Sequence, residues 1–252
     1  MSTVFLCRDG AAARYLAHEL AQRGLVDAIV AETGRAARQR KLRRELDRTR
    51  WWRLPFLALD LAALAVYGRL WSRALDRRLA GHPAASGYPE GIPLWSFDDA
   101  NGADCVARLR ESAPDVLVVF GTSILRAPVL SIAKRTSLNV HGGLVPAYRN
   151  VHSEVWAVLA GDERSAGTSI LHLDEGIDSG AVALAGRVQH AEGFFDLRWR
   201  NLELSAALLV EALEREREGT LAREPQGASE SGFWPTPGLG ALVRLLFRRV
   251  RF

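Results

Sequence analysis

Cysteine is scarce in this chain: Cys7 and Cys105 are the only two among 252 residues. One falls in an apolar strand-like run and the other in a helix-like run. Neither belongs to a C-x-x-C pair or to the Cys/His spacing that closes around zinc, so no metal site is expected and both read as buried, reduced thiols. The N-terminus lacks the positive start, long apolar stretch and small-residue cleavage site of a secretory signal, which predicts a chain retained in the cytoplasm. The longest apolar run, residues 54–66, is about 13 residues and is interrupted by Pro55 and Asp60, against the ~20 that a bilayer-spanning helix needs. No internal repeat is visible.

What is there suffices for a core. Hydrophobic residues make up 48% of the chain, and a chain of this size can bury a large α/β core without staples. The formal net charge of +4 fits an anionic partner without choosing among nucleotide, nucleic acid and lipid surface. Its distribution is uneven. Residues 35–53 hold nine Lys or Arg (35, 38, 40, 41, 43, 44, 48, 50 and 53) against Glu45 and Asp47, and the C-terminus closes with Arg244, Arg248, Arg249 and Arg251.

Apolar spacing predicts strands at 4–7, 26–31, 92–97, 115–120 and 137–141, with helices between them at 10–23, 101–113 (capped by Asn101) and 126–135. Strands alternating with helices imply an α/β fold with a doubly wound, mostly parallel sheet. A helix at 153–160 with Ser153 as its N-cap, strands at 168–173 and 181–189, and a helix at 197–218 follow. Residues 225–237 are turn-rich. His172 reads as structural or exposed, and Trp95 as core. Residues 35–81 interrupt the alternation: a basic helix passes through Trp51 and Trp52 into the apolar run and ends in Arg69, Arg73, Arg77 and Arg78. This insertion fits a helical hairpin packed on the core or on a second subunit of a homodimer. It also fits an anchor lying on an anionic membrane at the inner surface, since paired Trp and basic flanks suit that interface.

Asn139 and His141 end a strand and, two residues apart, share one of its faces. The ligand crevice of an open parallel sheet lies at the carboxyl ends of its strands. After the pair come Gly142-Gly143-Leu144-Val145-Pro146-Ala147-Tyr148-Arg149, then Gly167-Thr168-Ser169-Ile170, then the turn Asp174-Glu175-Gly176-Ile177-Asp178-Ser179-Gly180. With these linked motifs the sequence resembles the folate-dependent formyltransferases, which include the glycinamide ribonucleotide, methionyl-tRNA and sugar N-formyltransferases. The resemblance covers roughly residues 90–190.

The resemblance implies a Rossmann-like catalytic domain over 1–190 containing the 35–81 insertion, with 191–252 forming a helix and basic tail and not an independent domain. It implies N10-formyltetrahydrofolate as formyl donor and Asn139, His141 and Asp178 as the catalytic residues. Asp178 is preferred to Asp174 because the family's Asp precedes a small residue and Gly. By the same likeness Phe120, Gly121, Ser123, Ile124, Leu125, Asp174, Gly176 and Ile177 are expected to hold the donor, while Gly143, Tyr148, Arg149 and His152 are candidates to hold the acceptor. Gly143 replaces a frequent Ser and Asn150 a frequent Gly. Arg8-Asp9-Gly10 does not copy the Gly-Ser-rich phosphate loop of the glycinamide ribonucleotide enzyme, which disfavours that substrate. The expected acceptor is a phosphate-bearing small amine, most simply an amino sugar linked to a nucleotide or lipid. The alternative is another amine, an amino-acid derivative or the initiator methionyl-tRNA; the tRNA ranks lower because only about 60 residues follow the last core strand, too few for the RNA-contacting domain that the resemblance would require. A folate-fold interaction protein without turnover is the alternative of another class.

Overall fold

The computed structural model describes residues 1–227 and 232–250. Residues 228–231 of the turn-rich tail and Arg251 of the basic terminus lie outside the described residues, as does the side chain of Lys41. In chain order the elements are β1 (Thr3–Arg8), α1 (Ala11–Ala21), β2 (Ala28–Glu32), α2 (Arg35–Arg48), α3 (Leu54–Arg78), β3 (Leu94–Phe97), α4 (Ala103–Ser112), β4 (Val116–Phe120) and α5 (Ala127–Leu130). They continue with β5 (Thr136–His141), β6 (Arg149–Asn150), α6 (Ser153–Ala160), β7 (Gly167–His172), β8 (Val182–Arg187), α7 (Phe194–Glu218), β9 (Phe233–Trp234) and α8 (Leu239–Leu246).

Seven strands form one sheet in the order β3-β2-β1-β4-β5-β7-β8. The first five are parallel, and β7 and β8 extend the sheet antiparallel. β1, β2 and β4 are apolar along their length because helices cover both faces. Side-chain alternation divides the core. Phe5, Ile29 and Val118 face Leu16, Leu20, Leu209 and Leu213 of α1 and α7, whereas Leu6, Val30 and Leu117 face Cys105 and Leu109 of α4. Leu209 and Leu213 are fully buried, which stabilises the fold by roughly 1.5–3 kcal/mol each. Cys7 and Cys105 are free and buried, and burial pushes both thiols up to about 12. The chain runs from β1 outward to β3 and returns on the other side as β4, so the order reverses between β1 and β4, where such sheets bind ligands.

Four local expectations are corrected. The 101–113 helix starts at Ala103 with Gly102 as its cap. Asn101 instead ties down the loop after β4, donating to the Ile124 carbonyl at 3.0 Å and accepting from the Arg126 N–H at 2.8 Å. The 126–135 helix shrinks to Ala127–Leu130, because the Lys134 and Arg135 N–H groups go to the carbonyls of Pro114 and Asp115 beside β4. Ser153 is the first helical residue of α6 and His152 occupies the cap. Finally, the interrupted apolar run is part of one 25-residue helix, α3. Pro55 sits in its first turn, where no intrahelical donor is needed, and the Asp60 carboxylate accepts the Leu239 N–H of α8 at 2.7 Å. The helical stretch Trp51–Arg78, 28 residues, is therefore long and apolar enough to cross a membrane by length and composition.

Candidate active site

β5 delivers Asn139 and His141 to its carboxyl end, on the same face. The chain then leaves the sheet through residues 142–152, crosses α6, returns along β7, and reverses through the 174–180 turn. Asp174 closes that turn by accepting the Gly176 N–H at 3.0 Å and the Ser179 hydroxyl at 2.8 Å. Gly180 is required there, since a Cβ would fall 1.7 Å from the His172 carbonyl oxygen. The turn brings Asp178 over the end of β5.

Asp178 collects three donors. Asn139 Nδ2 donates to Oδ1 at 2.9 Å, the Asn150 N–H donates to Oδ2 at 2.8 Å, and His141 Nδ1 lies 3.4 Å from Oδ2. The opposite ring nitrogen, His141 Nε2, faces the Tyr148 carbonyl at 2.7 Å. An imidazole carrying both protons donates to each of these acceptors. Asn139 keeps one amide hydrogen uncommitted by the bond to Asp178, because Nδ2 carries two. Asp178 has φ 50, Asn150 φ 75 and His152 φ 59; such left-handed conformations cost roughly 1 kcal/mol for a residue with a side chain and tend to gather at functional sites. Gln226 supports the strained turn by donating to the Asp178 and Gly180 carbonyls, both at 2.8 Å.

These residues border a cleft of about 550 Å³. One end is largely apolar, walled by Val119, Leu125, Leu130, Leu173 and Ile177, and the loop 120–125 runs along it. All eight residues expected to hold the donor line this cleft. The two donor groups of Ser123, however, are already engaged. Its N–H and hydroxyl go to the buried Glu32 carboxylate at 2.8 and 2.6 Å, so Ser123 anchors the loop.

The other end is polar, with His152, Glu154 and Arg198 on its wall, while Arg8 lines the cleft beside Gly121 of the loop. Of the four acceptor candidates, His152 lines the cleft and the other three do not. Tyr148 is buried, with its hydroxyl donating to Asp162 at 2.8 Å. Arg149 is held by the Gln226 side chain. Gly143 is packed so closely that a Cβ would lie 2.5 Å from both the Tyr148 carbonyl and Ser153 Oγ, and 2.7 Å from His141 Nε2. In this chain the space that a Ser side chain would need is taken by those atoms.

Sequence reading missed Glu32 and Arg198. Glu32 ends β2 as a carboxylate after an apolar strand, a signal that was available. Its side chain is fully buried, is 3.4 Å from Arg8, and accepts the Ala100 N–H at 3.2 Å. Arg198 lies in α7, where nothing in the local sequence marks it. Its guanidinium donates to the Tyr67 hydroxyl at 2.9 Å, stacks 4.3 Å over the Trp71 ring, and lies 3.9 Å from Glu154. Tyr67 also meets the His152 ring edge-on at 5.6 Å. Burial pushes the Tyr67 hydroxyl up to about 12, which keeps its proton in place. The insertion helix α3 thus supports the polar wall of the cleft.

Residues 89–213 match the family described as formyl transferase. Among curated proteins, the chain is 33% identical over 139 residues to a methionyl-tRNA formyltransferase of Methylacidiphilum infernorum, covering 53% of this chain and 43% of that one. It is 35% identical over 144 residues to a protein of the same name from Anaeromyxobacter dehalogenans, covering 56% and 46%. The chain therefore spans less than half the length of these relatives. Among solved structures, a glycinamide ribonucleotide transformylase from Symbiobacterium toebii superposes with a TM-score of 0.57 at 19% identity, over 90% of this chain and 93% of that one. A sugar N-formyltransferase from a Shewanella species gives 0.57 at 15% identity, over 93% and 76%. At those identities the structures speak for the fold. The matched domain, the sheet order and the linked motifs of the cleft place residues 89–213 in the formyl transferase family.

Proposed function

We propose that this chain is an N-formyltransferase that moves the formyl group of N10-formyltetrahydrofolate to the primary amine of a phosphate-bearing amino sugar. The observation that carries the transfer is the convergence of Asn139, His141 and Asp178 at one point of a cleft with an apolar end and a polar end. The apolar end, bordered by the 120–125 loop and the 174–177 turn, fits the flat ring system of a folate. Bound there, the donor supplies an activated acyl carbon.

When the amine adds to that carbon, its oxygen gains negative charge and needs donors. Asn139 offers its second amide hydrogen; both ring nitrogens of His141 are engaged, Nδ1 facing Asp178 and Nε2 the Tyr148 carbonyl, so a His141 N–H reaches the adduct oxygen by leaving one of those partners. Asp178 holds both donors in register and, being acceptor-only when ionised, takes up the proton that the amine nitrogen loses, directly or through a water. As the adduct collapses to the formamide, the C–N10 bond breaks and the proton held by Asp178 passes, directly or through a water, to the departing N10. No covalent link to the protein is needed.

Arg198 supports an acceptor bearing phosphate, because a guanidinium presents a planar fork of donors that suits phosphate oxygens. A second reading, formylation of an aminoacyl-tRNA, is favoured by the names of the curated relatives and by the basic α2. One experiment separates them: formyl consumption is followed with purified protein, the folate donor, and in turn nucleotide-linked amino sugars and methionyl-tRNA. Turnover with a sugar supports the first reading. Turnover with tRNA alone replaces it by the second, and donor consumption with neither overturns both.

A further inference from the structure

The outer face of α3 has no protein partner among the described residues, although it is strongly apolar. Phe56, Leu59, Val66 and Leu70 are 64, 52, 52 and 41% exposed. Beside it, α8 buries Leu242 and Leu245 but turns Val243, Leu246 and Phe247 outward at 41, 75 and 83% exposure. The Asp60 bond to the Leu239 N–H ties the two helices together. Trp51 and Trp52 stand at the α3 entry, 81 and 46% exposed, with the Arg53 guanidinium 4.8 Å over the Trp52 ring. Arg69, Arg73 and Arg77 lie on α3, Arg244 lies on α8 with Arg248 and Arg249 just after it, and the arginine-rich α2 precedes them in the chain.

Although long enough to span, α3 is fastened to the domain along its length. Asp60 binds α8, Tyr67 binds Arg198, and Arg78 pairs with Asp196 at 2.6 Å. From Asp60 to Arg78 the helix rises about 27 Å at ~1.5 Å per residue. A helix held over that distance to a polar domain cannot thread a bilayer, so the apolar face is presented sideways. A broad apolar face with Trp at one end, on helices that carry several arginines, matches the chemistry of an anionic bilayer surface.

We infer that α3 and α8 form a docking face for an anionic lipid surface, on which α3 lies in the plane of the headgroups. Nucleic acid would be served by the arginines but not by exposed Phe, Leu and Val. The inward side of the same helix supports the cleft wall through Tyr67, so docking sets the acceptor end of the cleft beside the membrane.

The test is flotation of the full chain with phosphatidylglycerol–phosphatidylcholine vesicles and with phosphatidylcholine alone, for the wild type and for a Leu59→Glu/Val66→Glu variant. Both positions are exposed and away from the cleft. The wild type is expected to float with the anionic vesicles and to be released by salt. The double variant is expected to lose about a hundredfold in partitioning, since two apolar side chains give way to carboxylates that the anionic headgroups repel. An Arg43→Glu/Arg44→Glu variant should float less while keeping its fold by circular dichroism. Failure of the wild type to float, or flotation of the Leu59→Glu/Val66→Glu variant equal to that of the wild type, overturns the inference. So does a lipid-independent dimer in sedimentation that the same double variant dissociates, because the face would then be covered by a second copy. None of these outcomes depends on formyl turnover, so the proposed reaction stands or falls separately.

Discussion

Replacing Asp178 by Asn separates the proposed chemistry from mere packing. The carboxylate accepts from Asn139 on one oxygen, and on the other accepts from the Asn150 N–H and faces His141 Nδ1. An amide has one acceptor atom in place of two, so in either orientation its NH2 group is turned toward a donor. Losing a hydrogen bond to a charged group costs about 1.5–3 kcal/mol, and losing an oxyanion donor costs about 10²–10³ in rate. Asp178→Asn misdirects Asn139 and His141 together and removes the proton acceptor. The expected fall in kcat/KM is about 10³-fold, or about 4 kcal/mol, with donor binding by calorimetry nearly unchanged. Asp174→Asn is the matched control: its carboxylate closes the same turn through Gly176 and Ser179 and touches neither Asn139 nor His141, so a loss below about tenfold is expected. Single-turnover formyl release, with thermal unfolding to verify the fold, provides the comparison. If Asp178→Asn stays within tenfold of wild type, or Asp174→Asn is equally damaging, the assigned role of Asp178 is refuted.

Glu32→Gln should weaken the anchor of the 121–125 loop, since it removes the charge facing Arg8 and one acceptor used by Ser123. A loss of about 2 kcal/mol is expected in urea unfolding, with faster amide exchange at Ser123. His172 gives a pH dependence. Burial lowers its pKa below the ordinary value, the nearby Arg223 adding to the effect, so the unfolded chain binds more protons at acidic pH. Its contribution is present above about pH 6.5 and is lost as pH falls through the depressed value; His172→Gln should flatten the change in urea midpoint between mildly alkaline and acidic buffer. Gly143→Ala places a methyl against the Tyr148 carbonyl and His141 Nε2. It should lower turnover by tenfold or more while folate binding persists, and wild-type turnover would show that this close packing is dispensable.

Much of this site could be read because its residues follow local periods. A two-residue repeat on β5 puts Asn139 and His141 together, and a Gly-punctuated turn supplies Asp178 near the edge of the same sheet. Glu32 and Ser123 are 91 positions apart in sequence, and only the parallel pairings of β1 with β2 and β4 bring them together. Arg198 is further from legibility, since its partners come from α3 and α6. The capping errors have a local cause. Asn101 and Ser153 have the right chemistry to cap, but a nearer use takes each side chain: Asn101 clamps the loop after β4, and Ser153 Oγ donates to the Tyr148 carbonyl at 3.2 Å. Reading Pro55 and Asp60 as interruptions failed because one occupies a first turn and the other is satisfied by α8.

The two faces of α3 explain why the acceptor is harder to read than the reaction. Asp60, Leu64, Tyr67, Trp71, Leu75 and Arg78 recur every three or four residues and form the inward stripe. Within it, Tyr67 and Trp71 hold Arg198, and Tyr67 meets His152. The end of the cleft that holds Asn139, His141 and Asp178 is built from β4, β5 and the 174–180 turn, all inside the segment that matches the family. The polar end depends on a helix that precedes that segment. A change on the inward stripe therefore alters the acceptor wall without touching Asn139, His141 or Asp178. A change on the outward face leaves the acceptor wall alone and alters only what the domain can rest against. His152, Glu154 and Arg198 of the polar end lie inside the matched segment too, and Tyr67 and Trp71 are the points where α3 reaches them through Arg198.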